Sequence, residues 1–422
     1  MKIWFHTFGC RVNQYETQIL REKMLAGAQS RATEDFLDAD VCVINTCTVT
    51  EQADNEALKL ARRIAIRNPA ARLIVTGCLA SRDPQAILKE APAALVVGNE
   101  GKDNLPAMLG CSAGPMTPGA AQPSISWFHG HSRAFVKIQD GCNMECAYCV
   151  IPAVRPKLSC KPYDNLRHEV ENLLAQGYVE IVLCGIRLGR YMSADGAGKR
   201  VDFVSMLERL TRIPGDFRIR LSSLEITDVG DRLIAVMANS TGRLCPSLHV
   251  PLQSGSAWVL KRMQRWYSAA FYKRRINALK NVLPHVGLFT DIMVGFPGEN
   301  QARFKESLDL IKEIEFSGLH VFRYSQRAKT PAARYEGQIP EKEISARASE
   351  MRRLDHDLRA AFAARAVGSR RRVVAELSGR EALTEDFLTV KLEKEINQGF
   401  HNVQVLKTDG PLLWAQVSST AQ

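Results

Sequence analysis

A chain of 422 residues is too long for one ordinary domain, and its 45% apolar content supplies material for two or three packed cores. Lysine and arginine total 56 against 45 aspartate and glutamate, and the net charge of +11 favours a polyanionic partner, nucleic acid ahead of a membrane surface. No apolar run approaches the roughly 18 residues of a membrane span, and Met1 leads straight into the alternating KIWFHTF, so a cytoplasmic protein is expected.

Up to about Leu109, short apolar runs (KIWFHTF, VCVIN, RLIVT, ALVVG) alternate with helical patterns such as QYETQILREKML and DPQAILKE. Such alternation predicts βαβ units, hence an α/β domain over 1–110 built on a doubly wound parallel sheet. The segment CSAGPMTPGAAQPSISWFHGHS, 111–132, is rich in Gly, Pro and Ser and reads as a linker.

From Arg133 the strand candidates are AFVKIQ, VEIVLCG, RIRLSS, SLHV, LFTDIMVG and LHVFRY, each followed by room for a helix. Six βα units predict a partial TIM-type (βα)6 barrel whose working face lies at the C-terminal strand ends. It fills 133–367 together with the charged helical pattern EKEISARASEMRRLDHDLRAAFAARA. Period-2 runs then follow (RRVVAEL, FLTVKLE, NVQVLKT, LLWAQV) and predict a small all-β barrel over 368–422. Its basic start, Arg370 to Arg372, suits RNA, although such a run also serves as a solvated strand end.

Eleven cysteines is an odd number for disulfides, and a cytosol keeps thiols reduced, so clustered thiols are better used on a metal or in catalysis. In DGCNMECAYCVIPAVRP, Cys142, Cys146 and Cys149 form CxxxCxxC directly after the first barrel strand. A structural zinc site would need a fourth ligand in a closed tetrahedron, and the nearest histidines, His129 and His131, precede the strand. A 4Fe-4S cluster normally takes four cysteines, so three leave one iron open to an outside molecule.

Three more thiols, Cys10 in WFHTFGC, Cys47 in VCVINTC and Cys78 in LIVTGC, each end a predicted parallel strand. Ligand sites in such sheets lie off those tips, so the three can converge on a second cluster with an open iron. Cys42, one strand register earlier, is expected to pack inside.

The spacing of Cys142, Cys146 and Cys149, with Tyr148 before the last, resembles the signature of radical S-adenosylmethionine enzymes. Within these, TFGCRVNQYET, NTCTVTEQAD, VTGC, KIQDGCNMECAYCVIP, EIVLCGIRLGRY, LSSLE, HVPLQSGSAWVLKRMQRWY, DIMVGFPGE and HVFRYSQRAKTPA resemble the methylthiotransferases over nearly the whole chain. The C-terminal likeness rests on AFAARAVGSRRRVVAE and the period-2 runs after it.

The resemblance implies an auxiliary 4Fe-4S cluster on Cys10, Cys47 and Cys78, a radical cluster on Cys142, Cys146 and Cys149, and a C-terminal TRAM-like RNA-binding barrel. GCRVNQYET with NTCTVT resembles the branch that acts on N6-threonylcarbamoyladenosine of tRNA, just 3' of the anticodon. The implied mechanism uses two molecules of S-adenosylmethionine: one methylates a sulfur at the open auxiliary iron, and the other yields the radical that activates C2 of the adenine. It also implies an electron donor such as a flavodoxin or ferredoxin, and a sulfur source.

Contacts to S-adenosylmethionine carried over from the family fall on Tyr148, Ser223, Glu225, Gln253, Ser254, Val294 and Gly295. Gly295 and Gly298 also suit a tight βα turn. Arg155 is open to three readings: a nucleotide contact, a cofactor carboxylate contact or a surface salt bridge.

After CVIP the family continues with an Arg-Gly pair, whereas this chain has AVRPKLSC, with Pro156 in place of the glycine and Cys160 added. Cys160, Cys184, Cys245 and Cys111 match no ligand position and read as structural. Three other readings stay open: methylthiolation of isopentenyladenosine in tRNA, methylthiolation of a ribosomal protein side chain, and a non-catalytic RNA-binding protein with structural metal sites.

Overall fold

The computed structural model describes residues 1–27, 29–111 and 123–418, so half of the predicted linker, residues 112–122, lies outside the described residues. Two compact units divide the chain. The first comprises Met1–Ser126, Lys137–Met144 and Cys149–Glu169; the second comprises Trp127–Val136, Glu145–Tyr148 and Val170–Gln422.

The first unit is built on a parallel sheet with the spatial order Arg31–Ala32, Lys2–Thr7, Val41–Thr46, Arg72–Gly77, Leu95–Val97. Val41–Thr46 is buried at every residue, which is why VCVINT shows no alternation. One face of the sheet packs Ile3, Phe5, Val41, Val43 and Ile74 with Leu20 and Met24 of the helix Arg11–Leu25. The other packs Cys42, Ile44, Leu73 and Val75 with Ala57, Ala61 and Ile64 of the helix Glu51–Arg67. Helices on both faces make the sheet doubly wound, as predicted, and Cys42 lies in its core. Burial pushes the Cys42 thiol up to about 12. Strand order reverses between Lys2–Thr7 and Val41–Thr46, and such a switch point opens a crevice at the C-terminal strand ends.

All the predicted barrel strands form, and all but the first lie wholly in the second unit. Ala134–Asp140 enters from this unit and ends in the first; Glu180–Gly185, Arg218–Leu221, Ser247–His249, Gly287–Val294 and Gly318–Arg323 follow. Glu180–Gly185 pairs with Arg218–Leu221, and the last three strands pair in sequence, all in parallel. The parallel bridge Ile219↔Leu244 spans the interval between the two sets.

Gly287–Val294 shows which way the side chains point. Thr290 bonds the Val250 carbonyl beside Tyr272 of the helix Ala269–Val282, so its face looks outward. Phe289, Asp291 and Met293 therefore face the lumen. Phe289 meets Phe362 and Phe387 and closes the floor.

After the helix Glu341–Ala364 the chain forms a closed barrel, in the order Arg370–Ala375, Glu381–Thr384, Thr389–Leu392, Leu412–Val417, Phe400–Asp409. The strand Glu381–Thr384 lies outside the four period-2 runs, because Ala382, Leu383 and Thr384 are all buried and the segment has no alternation.

Buried charge joins this barrel to the larger one. Glu180 accepts from Arg218 Nε at 2.6 Å and from Arg220 Nε at 2.7 Å. The remaining guanidinium nitrogens donate to the carbonyls of Arg372, Leu383, Thr384 and Glu385 at 2.9–3.0 Å. Burial opposes the Glu180 charge, but Arg220 and Arg218 outweigh it and hold the carboxyl far below the usual carboxylate range. The basic start is partly used here as well: Arg372 pairs with Asp216 and lies over Phe400, and Arg371 faces Glu385 and Asp386.

Glu180→Ala should therefore leave buried guanidiniums unpaired and cost about 3–5 kcal/mol. Arg380→Ala, which breaks an exposed pair with Glu395, should cost under about 1 kcal/mol. Thermal melts with limited proteolysis of the C-terminal barrel check this, and equal melting of the two variants would contradict it.

Candidate active site

Cys10, Cys47 and Cys78 stand at the C-terminal edge of the first unit's sheet. Cys10 caps the helix Arg11–Leu25, Cys47 follows Val41–Thr46, and Cys78 opens the turn after Arg72–Gly77. Gly9 has φ +92°, and a Cβ there would stand 2.6 Å from Cys47 Sγ, so the Cys10 loop closes directly over the second thiol. Cys47 is within electrostatic reach of both Cys10 and Cys78, and burial pushes its thiol up to about 11, with those neighbours adding to the shift. Three crowded thiols can all ionise only beside a strong positive charge. The donor set thus suits an iron–sulfur cluster held by three thiolates.

A buried ionic network lies under these thiols. Asn99 Nδ2 approaches Cys78 Sγ at 3.6 Å and donates to the Val154 carbonyl at 3.0 Å. Lys102 Nζ reaches Glu16 at 2.5 Å, Asn45 at 3.2 Å and Asn99 at 3.0 Å. Arg155 donates to Glu16 through both Nη atoms at 2.8 Å, to Asp140 at 2.9 Å and to Asn13 at 2.9 Å. Burial disfavours the Glu16 charge, yet Lys102, Lys137 and Arg155 together hold its carboxyl well below the usual range. Arg155 is 4% exposed, so it is neither a surface bridge nor an open ligand contact but an internal tie. Asn13 also donates to the carbonyls of Phe8 and Thr46 and fixes the approaches to Cys10 and Cys47.

Cys142, Cys146 and Cys149 lie in an irregular loop after Ala134–Asp140. In the first unit, the Cys142 N–H donates to the Arg155 carbonyl at 3.1 Å. Gly141 has φ +79°, and a Cβ there would collide with the Lys157 carbonyl, so the AVRPKLSC loop passes against its backbone. Cys160 pairs through its backbone with Gln139.

In the second unit, the Ala147 N–H donates to the Met263 carbonyl at 3.0 Å, and the Ala147 carbonyl accepts from Ala332 at 2.9 Å. These bonds clamp the middle of the loop. Arg265 Nη1 lies 3.3 Å from Cys146 Sγ, while its Nη2 pairs with Glu225. A buried guanidinium against a thiol favours the thiolate that a metal requires. The motif RMQRWY contains Arg265, but nothing in the spacing assigns it to a cysteine 119 residues away.

The expected cofactor contacts divide. Tyr148 packs with Ala147, Val259, Met263 and Phe296. Glu225 is tied to Arg265 and stands beside Cys146. Gln253 adopts φ +66°, which is rare outside glycine, while its N–H and carbonyl bond Asp291 and Met293. Backbone strain of this kind concentrates at ligand sites. Ser223 Oγ is 2.5 Å from His249 Nδ1. Ser254 is fully buried, with its hydroxyl on Ser307 and the Ser256 N–H. Val294 is buried, and the Gly295 N–H is taken by Glu299 at 2.8 Å. Cβ atoms on Gly295 and Gly298 would meet Ile344 and Trp258, so both glycines have a structural need.

Two family models match: "Radical SAM superfamily" over residues 136–311, and "Uncharacterized protein family UPF0004" over residues 2–98. A solved radical S-adenosylmethionine methyltransferase, TsrM from Kitasatospora setae, has the same fold at TM-score 0.57 and 13% identity, covering 79% of this chain and 75% of that one. Barrel, loop and match define a radical S-adenosylmethionine enzyme, which uses S-adenosylmethionine and a 4Fe-4S cluster.

Threonylcarbamoyladenosine tRNA methylthiotransferase MtaB of Thermotoga maritima is 33% identical, across 88% of this chain and 85% of that protein. MtaB of Bacillus subtilis is 39% identical, across 80% and 76%. The tRNA-2-methylthio-N(6)-dimethylallyladenosine synthase of Acidithiobacillus ferrooxidans is 31% identical, across 90% and 89%. The chain belongs to the radical S-adenosylmethionine methylthiotransferase family. Among the described residues no helix is long and apolar enough to cross a membrane.

If Cys146 ligates a cluster, Arg265→Ala should weaken cluster affinity at the barrel loop about 10–100-fold in a reconstitution titration, as loss of a ligand's supporting bond does. It should also move the remaining cluster to lower reduction potential, because a hydrogen bond to the sulfur is gone. An EPR-monitored redox titration reads the shift, and a wild-type potential would remove Arg265 from this role.

Proposed function

We propose that this chain methylthiolates C2 of N6-threonylcarbamoyladenosine in tRNA, next to the anticodon, with two 4Fe-4S clusters and two molecules of S-adenosylmethionine. The observation that carries the reading is the meeting of Cys10, Cys47 and Cys78 at one sheet edge, because radical generation by itself needs only the barrel thiols. The activity named for the MtaB relatives, of which the chain covers 76–85% in two organisms, supports the choice of substrate.

Cys142, Cys146 and Cys149 would hold the radical cluster, with Arg265 keeping Cys146 oriented and ionised. When bound, that cluster supplies the electron that splits S-adenosylmethionine into methionine and a 5'-deoxyadenosyl radical. Glu225, Gln253, Tyr148 and the backbone at Val294 and Gly295 would line the place for S-adenosylmethionine, with Ser223 beside them and Ser254 supporting the turn through Ser307. Cys10, Cys47 and Cys78 would hold the auxiliary cluster, and Asn99 would fix Cys78. A flavodoxin or ferredoxin would supply electrons, and a separate sulfur source would replace the sulfur consumed.

The C-terminal barrel offers a face for RNA. Lys391 and Lys407 stand 5.8 and 5.7 Å from the Trp414 ring, a base-sized aromatic flanked by two cations. The Lys391→Glu, Lys407→Glu double variant should weaken tRNA binding and flatten the log–log salt dependence by about two. An unchanged slope in filter binding would take this face out of the tRNA site.

Expression of the chain in cells lacking their own methylthiotransferases should yield 2-methylthio-N6-threonylcarbamoyladenosine, read by mass spectrometry of tRNA nucleosides. A 2-methylthio-dimethylallyl product instead would give the substrate to the other branch. Cys149→Ala should abolish 5'-deoxyadenosine formation, whereas Cys47→Ala should retain uncoupled cleavage without methylthio product. Equal loss of cleavage in both would refute the separate roles.

A further inference from the structure

We infer that a row of polar side chains across the barrel lumen, Ser223, His249, Asp291 and His320, receives the polar substituent on N6 of the substrate adenine, with His320 as its contact. The inference rests on the threonylcarbamoyl reading above and deepens it.

Consecutive strands or their ends contribute one residue each. Ser223 Oγ lies 2.5 Å from His249 Nδ1, His249 Nε2 lies 2.8 Å from Asp291 Oδ1, and His320 Nδ1 lies 3.3 Å from the same oxygen. Asp291 and His320 are register partners, and the two imidazole centroids are 4.9 Å apart. The row faces inward. Asp291 shares its face with Met293, which packs in the cluster of Ala147 and Tyr148 from the cysteine loop, and with Phe289 in the floor. Two residues along a strand span about 7 Å, so the row lies one side-chain layer below the cysteine loop and one above the floor.

The chemistry of the row is that of a recognition site left open at one end. Burial works against the Asp291 charge, but His249 and His320 outweigh it and hold the carboxyl down at about 2. His249 is spent at both nitrogens, on Ser223 and Asp291. His320 is different: Nδ1 faces Asp291, while Nε2, on the far side of the ring, belongs to a side chain 51% exposed.

A threonylcarbamoyl group carries a carboxylate and a hydroxyl, either of which an imidazole can engage. A dimethylallyl group carries no polar atom and would strip water from the row without replacing its hydrogen bonds. Sites built on hydrogen bonds reject analogues that lack the partner far more strongly than apolar pockets reject an extra group.

One ligand atom each of His249, Asp291 and His320 lies within 4.8 Å of the others, as a divalent cation would also require. A cation there would occupy Asp291 and both rings and leave no contact for the substrate, so the test counts metal as well.

Two anticodon stem-loops of one sequence, bearing N6-threonylcarbamoyladenosine or N6-dimethylallyladenosine, are compared by kcat/KM in the full-length holoenzyme, in His320→Leu and in His320→Gln. Zinc and iron are counted in each protein. The wild type should favour the threonylcarbamoyl loop by about 100-fold or more, and His320→Leu should cut that ratio at least about 10-fold, chiefly through KM. His320→Gln, which keeps a polar end, should fall between. A folding or cluster defect lowers both substrates alike and leaves the ratio where it was; if turnover is lost on both loops, the ratio is taken from dissociation constants. An unchanged ratio in His320→Leu overturns the inference, as does one zinc per chain that disappears with the ring. A wild type that methylthiolates only the dimethylallyl loop would overturn the substrate reading itself.

Discussion

Parallel strands deliver every βα turn to one edge of their sheet, and both sets of thiols depend on that constraint. In the first unit it lets residues as distant as Cys10 and Cys78 meet with no more than a few residues of turn after each strand. In the second it puts the middle of the cysteine loop, Gln253 and the DIMVGFPGE turn at the same strand ends. Antiparallel strands would send alternate turns to opposite edges and separate the thiols.

Edge sites in such sheets have little packing of their own, and here buried charge supplies the rigidity. Glu16 holds three cations beneath Cys10, Cys47 and Cys78, and Glu180 holds Arg218 and Arg220 beneath the C-terminal barrel, with Arg133 as a third, longer partner. Each buried ion costs several kcal/mol in lost hydration, so these carboxylates are poor sources of net stability. Their directional bonds do something hydrophobic packing cannot: they fix a loop or an attached barrel in one register. In the first unit this determines where AVRPKLSC runs, because Arg155, Asp140 and Gly141 constrain the same few backbone atoms.

Within the barrel, the lumen changes character along single strands. Gly287–Val294 presents Phe289 to the floor, Asp291 to the polar row and Met293 to the cysteine loop. Apolar, hydrogen-bonding and cofactor-facing layers thus stack at a spacing of two residues. Such layering would keep radical chemistry at the loop apart from the proposed contact with the substrate's polar group, with both on rigid strands.

The order of elements, apart from the strand Glu381–Thr384, and the two sets of three cysteines at strand ends were legible in the sequence, because strand period, turn residues and CxxxCxxC spacing are local signals. Ser254 and Arg155 also stood out by motif, but the structure turns the first toward Ser307 and buries the second beside Glu16. Arg265 against Cys146, and His249 and His320 against Asp291, carried no local signal. Their partners are tens of residues or more away, and neither period nor spacing records which side chains meet across a barrel. The sequence by itself therefore determined most of the elements, the thiols at their ends and the family resemblance. Tertiary structure alone decided which charges neutralise one another and which polar groups face the lumen, because those depend on register and curvature between distant strands.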